Sequence, residues 1–333
     1  MIITTHAFAR AGLVGNPSDG YFGKTIAFTI RNFRATVHLW ESPHFEIVPT
    51  HGDFARFGNV RAFLRDVKLN GYYGGLRLQK ATVKKFHEWC DRNDVELHDR
   101  NFTLSFESDI PRLVGLAGSS AIITATLRAL TRFYEVTIPQ HLLPGLILSV
   151  EREELNIQAG LQDRVIQTYE GIVYMDFDRK LLEGRGYGEY HELKPPRLPP
   201  LYVAFDPDRA EISDIPHRNL RELFNRGDPT VVGAMQQYRD LTDRGRDALM
   251  SGDWDALHKV TNENFDLRRK IMPIAPENLR MVEVARATGA SAKFAGSGGA
   301  ICGLYHDGRQ YQELVDALAA IRCTVLRPLI YEA

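Results

Sequence analysis

The chain has 333 residues, of which 44% are hydrophobic and 25% are charged, and its formal net charge is −1. This composition is typical of a globular protein long enough for two domains, and it gives no sign of disorder or low complexity. The near-neutral charge provides no basic surface for nucleic acid, so we expect a small-molecule partner. Cys90, Cys302 and Cys323 lack metal-binding spacing, which favours buried thiols in a reducing compartment.

Membrane association is not expected from the apolar segments. Residues 1–10 lack the apolar core of a signal peptide, and the longest apolar run, near residues 142–150, is interrupted by Pro144. That run is also too short to span a bilayer. We therefore expect a cytoplasmic protein.

Hydrophobic periodicity predicts strands and helices along the whole chain. The predicted strands are residues 25–30, 35–40, 45–48, 102–107, 171–177, 201–205, a segment after Gly299, and 325–330. The predicted helices are residues 79–90, 121–134, 142–154, 230–250, 254–271, 277–288 and 309–321. Residues 194–200 (KPPRLPP) are rich in proline and interrupt regular structure. We place a domain boundary there, which predicts domains at residues 1–194 and 195–333.

Residues 111–121 (PRLVGLAGSSA) are rich in glycine and serine and lead into a helical apolar pattern. Gly115 and Gly118 lack a Cβ atom, which lets the backbone turn tightly and its N–H groups approach an anion. Ser119 and Ser120 begin the helix, whose first N–H groups and dipole also favour an anion. The segment is therefore either a phosphate-binding loop or a tight turn before a closely packed helix.

Two other glycine-containing segments are less suited to phosphate. Residues 23–25 (GKT) end like a P-loop, but Ser18 stands where that motif needs glycine, and strand-like alternation follows. Residues 296–299 (GSGG) lack the spacing of a dinucleotide-binding fingerprint and also precede a strand-like run. We therefore predict neither a P-loop nor a Rossmann site.

Three motifs occur in the order found in the GHMP kinases, the family of galactokinase, homoserine kinase, mevalonate kinase and phosphomevalonate kinase. They are residues 10–19 (RAGLVGNPSD), 111–121 (PRLVGLAGSSA) and 293–300 (KFAGSGGA). This resemblance implies an α+β two-domain GHMP kinase fold. Its parts would be an N-terminal α/β domain of the ribosomal S5 domain 2-like type and a C-terminal ferredoxin-like α+β domain, with the active site in the cleft between them.

Four strings are similar to the glucuronokinase branch of that family. They are residues 12–19 (GLVGNPSD), 159–165 (AGLQDRV), 173–177 (VYMDF) and 264–269 (NFDLRR). The resemblance to this branch implies a sugar-acid substrate, which nothing in the composition or spacing indicates.

The family resemblance implies ATP and Mg2+ as cofactors. The implied phosphate-binding residues are Gly115, Leu116, Ala117, Gly118, Ser119, Ser120, Gly296, Ser297 and Gly298. Ser120 would supply a metal-binding hydroxyl and Glu151 a carboxylate, and such oxygen ligands suit Mg2+. Glu151 lies twelve residues before Asp163, the separation found in galactokinases. Alternatively, Glu151 is a solvated residue of an acidic cluster, and residues 296–299 form a plain hairpin turn.

The same resemblance implies two catalytic residues. Asp163 would accept the proton of the attacking sugar hydroxyl or orient that hydroxyl in line with the γ-phosphate. Arg10 would hold the aspartate and offset the negative charge that develops during transfer. An ion pair without a catalytic role is the alternative for Arg10.

Asn16 and Asp19 match positions where galactokinase-like members hold sugar hydroxyls. Asn16 and Pro17 stand where galactokinases carry glutamate and histidine, and the absence of that acid fits a substrate with its own negative charge. The candidates to bind a substrate carboxylate are Lys24, Arg164, Arg268 and Arg269, since arginine can do so with two parallel hydrogen bonds. The alternative for each of them is an ordinary surface cation.

These resemblances imply an ATP- and Mg2+-dependent phosphotransferase that phosphorylates the anomeric hydroxyl of D-glucuronate. The alternatives are a related kinase acting on galacturonate, a neutral hexose or a heptose, and a catalytically silent regulator that binds ATP and sugar. A protein–protein scaffold has no positive feature in the sequence.

Overall fold

The computed structural model describes residues 2–48, 55–70, 76–207 and 214–332. The strands are β1 (Ile2–Val14), β2 (Lys24–Glu41), β3 (Phe45–Val48), β4 (Ala55–Phe57), β5 (Phe102–Ser108), β6 (Ile172–Asp176), β7 (Glu189–Glu192), β8 (Leu201–Phe205), β9 (Lys293–Phe294), β10 (Ala300–Leu304) and β11 (Thr324–Leu326). The helices are α1 (Val60–Asn70), α2 (Arg77–Arg92), α3 (Gly118–Phe133), α4 (Leu143–Ser149), α5 (Gln162–Tyr169), α6 (Arg179–Arg185), α7 (Asp214–Asn225), α8 (Pro229–Ser251), α9 (Trp254–Ile271), α10 (Pro276–Ala287) and α11 (Gly308–Ala319). A 3-10 helix spans Ser18–Tyr21, and a π-helical turn spans Val150–Glu154.

The chain divides into two compact units that are interleaved along the sequence. The first unit contains Met1–Ala9, Phe33–Ile110 and Gly118–Thr168. The second unit contains Arg10–Asn32, Pro111–Ala117 and Tyr169–Ala333. Because these units follow contacts rather than chain order, the domain boundary between residues 194 and 195 stays a prediction.

The first unit combines strand pairing with an aromatic core. The second half of β2 pairs antiparallel with β5, β5 pairs parallel with β3, and β3 pairs antiparallel with β4. The rings of Phe45 and Phe102 lie 4.9 Å apart edge to face, and Phe133 of α3 meets Phe102 at 5.1 Å. Such edge-to-face contacts add about 1 kcal/mol each beyond the burial of apolar area.

The second unit contains two sets of paired strands. The first half of β2 pairs antiparallel with β6, which pairs with β7. A separate antiparallel sheet has the order β11-β8-β10-β9. Its buried side chains pack with those of α9, α10 and α11, including Tyr202, Phe265, Phe294 and Leu314. Tyr202 is fully buried, and its hydroxyl donates to the carbonyl of Ser291 at 2.9 Å.

The long helices α8 and α9 begin at aspartate caps. Asp228 Oδ1 accepts from the N–H groups of Thr230 and Val231, and Asp253 Oδ1 accepts from the N–H group of Ala256. Each cap satisfies donors that a helix start leaves without partners and stabilises the helix by about 1 kcal/mol. The caps therefore fix where the two helices begin.

Most predicted elements are confirmed. Strands β3 and β8 and helix α9 have the predicted bounds, and α3 begins at Gly118, one residue before the serine pair. The segments after Gly23 and Gly299 continue as strands β2 and β10, which agrees with the exclusion of a P-loop and a Rossmann site. The three cysteines are buried and free, as predicted.

Four element predictions are corrected. Strand β1 is not predicted, and residues 10–14 of the first motif form its last five residues. The predicted strands 25–30 and 35–40 form one continuous strand, because the polar residues between them have partners, including Glu170 for Arg31 and Asp109 for Arg34. The predicted helix 142–154 widens into the π-helical turn at its end. Strand β11 ends at Leu326, shortly before Pro328, which cannot donate to a sheet.

Across the described residues, no helix has the length and apolar character needed to cross a bilayer.

Candidate active site

The predicted phosphate loop has alternating backbone handedness. Leu113, Gly115 and Ala117 have φ angles of 59°, 73° and 64°, while the residues between them keep ordinary negative φ. Alternation of this kind turns successive N–H groups toward one concavity, which is the backbone form of an anion-binding nest. The chain then continues directly into α3 at Gly118. The loop therefore has the geometry expected for phosphate.

The glycine-rich third motif packs directly against this loop. A Cβ atom on Gly115 would lie 2.7 Å from the carbonyl oxygen of Gly298, and one on Gly296 would lie 2.3 Å from the carbonyl oxygen of Gly115. Only glycine permits so close an approach of two backbones. Residues 296–299 thus support the phosphate loop rather than form an isolated hairpin turn. Contact of Gly296, Ser297 or Gly298 with ATP stays a prediction.

Arg10 connects these two loops from the end of β1. Its side chain is buried, and Nη1 donates to the carbonyl oxygens of Gly115 at 2.7 Å and Ala295 at 3.1 Å. Its backbone N–H also donates to Leu116 at 3.3 Å. These bonds show that Arg10 positions the loop, and its predicted action on the transferred phosphate stays a prediction.

Helix α9 holds the segment around Asn16, which is predicted to contact the sugar. Asn264 accepts from the N–H of Gly15 at 2.6 Å and donates to the carbonyl of Asn16 at 3.0 Å. One turn along, Arg268 Nη1 donates to Asn16 Oδ1 at 2.8 Å and to the carbonyl of Gly296 at 2.9 Å. Its Nη2 donates to the carbonyl of Ser297 at 2.9 Å. Arg268 is therefore a buried link between two predicted site segments, not a surface cation.

Asp19 and Lys24 follow Asn16 along the chain. Asp19 is in the 3-10 helix and is half-buried. Lys24 begins β2, and its Nζ lies 2.7 Å from Asp243 and 3.6 Å from Asp176. Burial alone would lower the pKa of Lys24, but the hydrogen bonds to Asp243 and Tyr174 outweigh it and raise that pKa. Lys24 is therefore a cation already paired with acids of the protein.

In the first unit, Glu151 and Asp163 lie on either side of one arginine. Glu151 is in the π-helical turn and is 1% exposed, which rules out the solvated alternative. Its Oε1 accepts from Ser119 Oγ at 2.9 Å, and its Oε2 accepts from Arg164 Nε at 2.8 Å and from Arg164 Nη2. Arg164 Nη1 lies 3.2 Å from Asp163 Oδ2 and donates to the carbonyl of Gly160 at 3.0 Å. The structure thus groups the predicted metal carboxylate with the predicted base.

The serine pair has unequal surroundings in this group. The Ser119 hydroxyl donates a hydrogen bond to Glu151, and Ser120 is fully buried in the first turn of α3. The metal role assigned to Ser120 stays a prediction. Arg164 is bonded to Glu151 and Asp163, so it is not an ordinary surface cation either.

The burial of Lys293, a residue of the third motif, is not predicted from the sequence. Lys293 is fully buried, and its Nζ donates to the carbonyl oxygens of Gly12 and Phe294. Burial, together with the positive charges of Arg268 and Arg10, lowers its pKa to about 8 despite an opposing effect of Cys302. A lysine in a strand of otherwise buried residues is the signal that could have revealed it.

The nest at residues 113–117 in the second unit and the group of Glu151, Arg164 and Asp163 in the first unit are each typical of a kinase-type phosphotransferase. Two family models support this class. The GHMP kinases N terminal domain matches residues 77–171, and the GHMP kinases C terminal domain matches residues 246–322. The chain belongs to the GHMP kinase family, has its two-domain fold, and is a phosphotransferase with an alcohol group as acceptor.

Two plant proteins are similar over nearly the whole chain. Glucuronokinase 1 of Arabidopsis thaliana is 40% identical over 320 residues, which cover 94% of this chain and 88% of that protein. Probable glucuronokinase 2 of the same plant is 42% identical over 317 residues, which cover 93% and 86%. Among solved structures, Streptococcus pneumoniae phosphomevalonate kinase in complex with phosphomevalonate and AMPPNP has a TM-score of 0.79 at 17% identity, covering 98% of both chains. That last similarity shows the fold alone.

Proposed function

We propose that this protein transfers the γ-phosphate of ATP to the anomeric hydroxyl of D-glucuronate, which yields D-glucuronate 1-phosphate and ADP. The observation that carries the proposal is the identity of 40% and 42% to two glucuronokinases over more than nine-tenths of the chain.

The alternating backbone of residues 113–117 supports binding of the ATP phosphates. A nest of N–H groups binds an anion without any side-chain charge, and the dipole at the start of α3 favours the same charge. Arg10 and residues 296–299 hold this backbone in shape through the contacts described above. They therefore help binding even where they do not touch the nucleotide.

The residues around Glu151 fit a magnesium ion. Carboxylate and hydroxyl oxygens are the ligands that Mg2+ prefers, and Glu151, Ser119 and Ser120 offer only such donors. Glu151 and Ser120 would hold the ion together with phosphate oxygens. When bound, the ion would neutralise charge on the phosphates of the nucleotide.

Asp163 is the residue we assign to the attacking hydroxyl. Its carboxylate would accept the hydroxyl proton as the sugar oxygen bonds to the γ-phosphorus and the bond to the ADP oxygen breaks. The guanidinium of Arg164, 3.2 Å from Asp163 Oδ2, holds the carboxylate in place. Arg10 would stabilise the transferring phosphoryl group.

The cellular setting that we propose is the cytoplasm. Three free and buried thiols suit a reducing compartment, and a formal net charge of −1 offers no general attraction to nucleic acid. The partners are then ATP and a sugar acid.

The test is ATP consumption by the purified protein with Mg2+ across glucuronate, galacturonate, glucose, galactose, mannose and a heptose phosphate, with phosphorus NMR of the product. We expect turnover with glucuronate and an anomeric phosphate signal. Turnover with a different sugar instead of glucuronate would identify the protein as a related kinase specific for that sugar. ATP binding without turnover on any sugar would favour a regulatory protein instead.

A further inference from the structure

A sugar acid presents a carboxylate, and a site selective for it needs a cation that is not already paired. Of the four candidates chosen from sequence, Arg269 is exposed near the end of α9, and the other three do not meet that requirement in the structure. Lys24 is paired with Asp243, Arg164 with Glu151, and Arg268 bonds Asn16 and two backbone carbonyls. Recruiting any of them would break bonds that hold the site together.

Arg221 of α7 meets the requirement, and the sequence reading did not single it out. Its guanidinium carbon lies 4.4 Å from the centre of the Tyr21 ring. Its Nη2 lies over Gly20, 3.0 Å from where a Cβ atom on that glycine would be. Among the described side chains, which do not include those of residues 208–218, Arg221 has no hydrogen bond and no acidic partner.

The way Arg221 is held leaves its hydrogen-bonding edge available. The contact of Arg221 with Tyr21 is a cation–π contact, and among the described side chains its N–H donors make no hydrogen bond. Two parallel N–H donors match the two oxygens of a carboxylate. Arg221 can therefore offer its N–H donors to a carboxylate while it keeps its contact with the Tyr21 ring.

The surroundings of Tyr21 connect Arg221 with the predicted sugar segment. Phe224, one turn further along α7, packs edge to face on Tyr21 with the ring centres 5.1 Å apart. The pKa of Tyr21 is raised, because burial and the charge of Asp19 outweigh the opposing effect of the charges of Arg221 and Arg268. Arg268 in turn donates to Asn16. Arg221 thus stands beside the 3-10 helix that carries Asp19, within the part of the second unit predicted to hold the sugar.

We propose that Arg221 binds the carboxylate of the sugar-acid substrate and thereby selects it over neutral sugars. This assignment rests on the proposed function. It names a specificity residue on α7, outside the three family motifs at residues 10–19, 111–121 and 293–300.

The experiment compares D-glucuronate with its neutral amide, D-glucuronamide, in the parental enzyme and in Arg221→Gln. For the parental enzyme we expect kcat/KM to favour the acid. In Arg221→Gln we expect KM for glucuronate to rise roughly 10- to 100-fold, the range for losing hydrogen bonds to a charged group. Values for glucuronamide and KM for ATP should stay within about twofold. Arg221→Lys keeps the charge but not the paired donors, so it should recover only part of the preference.

The matched control is Arg226→Gln, which removes an exposed arginine just after the same helix, at 3.9 Å from Glu222. It should leave every kinetic value unchanged. An equal loss for acid and amide in Arg221→Gln would overturn the assignment, because it would show a purely structural role through Tyr21. Unchanged preference in a folded Arg221→Gln or Arg221→Lys variant would overturn it as well. If the parental enzyme neither binds nor phosphorylates glucuronate, the proposed function falls and this assignment falls with it.

Discussion

The guanidinium of Arg164 and the carboxylate of Glu151 form a buried pair, with Nε donating to Oε2 at 2.8 Å. Their side chains are only 5% and 1% exposed, so neither charge is compensated by water. The same arginine reaches Asp163 with its Nη1 at 3.2 Å. One side chain therefore balances the predicted metal ligand and orients the predicted base.

Removing one partner of this pair should destabilise the protein strongly. Arg164→Met leaves the Glu151 carboxylate buried without its cation, which should lower the free energy of unfolding by about 3 kcal/mol. Urea unfolding of the whole protein, with hydrogen exchange measured at the amides of α3 and α5, would measure the loss. Glu151→Gln combined with Arg164→Met should cost clearly less than the two single changes together. Simple additivity would contradict a direct pair.

Asp163→Asn should separate binding from chemistry. The amide keeps the shape of the side chain but cannot accept the hydroxyl proton, so kcat should fall about 10²- to 10⁴-fold. ATP affinity should remain close to the parental value, because the phosphate loop is untouched. Single-turnover rates with equilibrium ATP binding provide the comparison. A rate near that of the parental enzyme would show that Asp163 has no catalytic role.

Two glycines of the phosphate loop should respond differently to alanine. Gly115 has a φ of 73°, and a Cβ atom would lie 2.7 Å from the carbonyl of Gly298. Gly115→Ala should therefore lower the free energy of unfolding by at least about 1 kcal/mol and weaken ATP binding.

Gly118→Ala serves as the matched control for that substitution. A Cβ atom at Gly118 meets only Ile110, at an ordinary 3.5 Å, and the residue begins α3. Its stability should be equal to or slightly above that of the parental protein, since alanine favours a helix. Equal thermal shifts for the two variants would show that the packing of residues 296–299 on the loop does not matter.

Local patterns made much of the fold predictable, and long-range pairing explains the exceptions. Helix α9 has its predicted bounds because its apolar spacing and its cap at Asp253 lie within the segment itself. Strand β2 continues through Arg31 and Arg34, whose partners lie far away in the chain at Glu170 and Asp109. Nothing within residues 31–34 indicates those partners.

The candidate site shows the same division. The glycine positions of residues 111–121 indicated the phosphate loop, because tight turns require particular residues locally. Charge alone could not assign Lys24 or Arg268, since whether a cation meets a substrate or a protein acceptor depends on folding. Arg268 bonds Asn16 across 252 positions of the chain. The sequence therefore offered both as substrate contacts, and the structure has them paired within the protein.

Lys293 should make the stability of the protein depend on pH in the alkaline range. Its folded-state pKa is about 8, whereas the ordinary value is 10.5, which we take for the unfolded chain. Between these values the unfolded chain binds a proton that the folded chain has released, so the free energy of unfolding contributed by Lys293 rises with pH. Below about pH 8 both states are protonated, and the contribution is constant. The neutral amine keeps two N–H groups, enough for the carbonyls of Gly12 and Phe294.

The measurement is an NMR titration of the lysine Cε signals, with Lys293→Met used to identify the signal of Lys293. We expect a midpoint near pH 8 for this lysine. Denaturant unfolding of the parental protein and Lys293→Met should then differ in slope between about pH 8 and pH 10, with the parental protein gaining stability relative to the variant. A midpoint above pH 10, or parallel stability curves over that range, would show that burial does not hold Lys293 in its neutral form at alkaline pH.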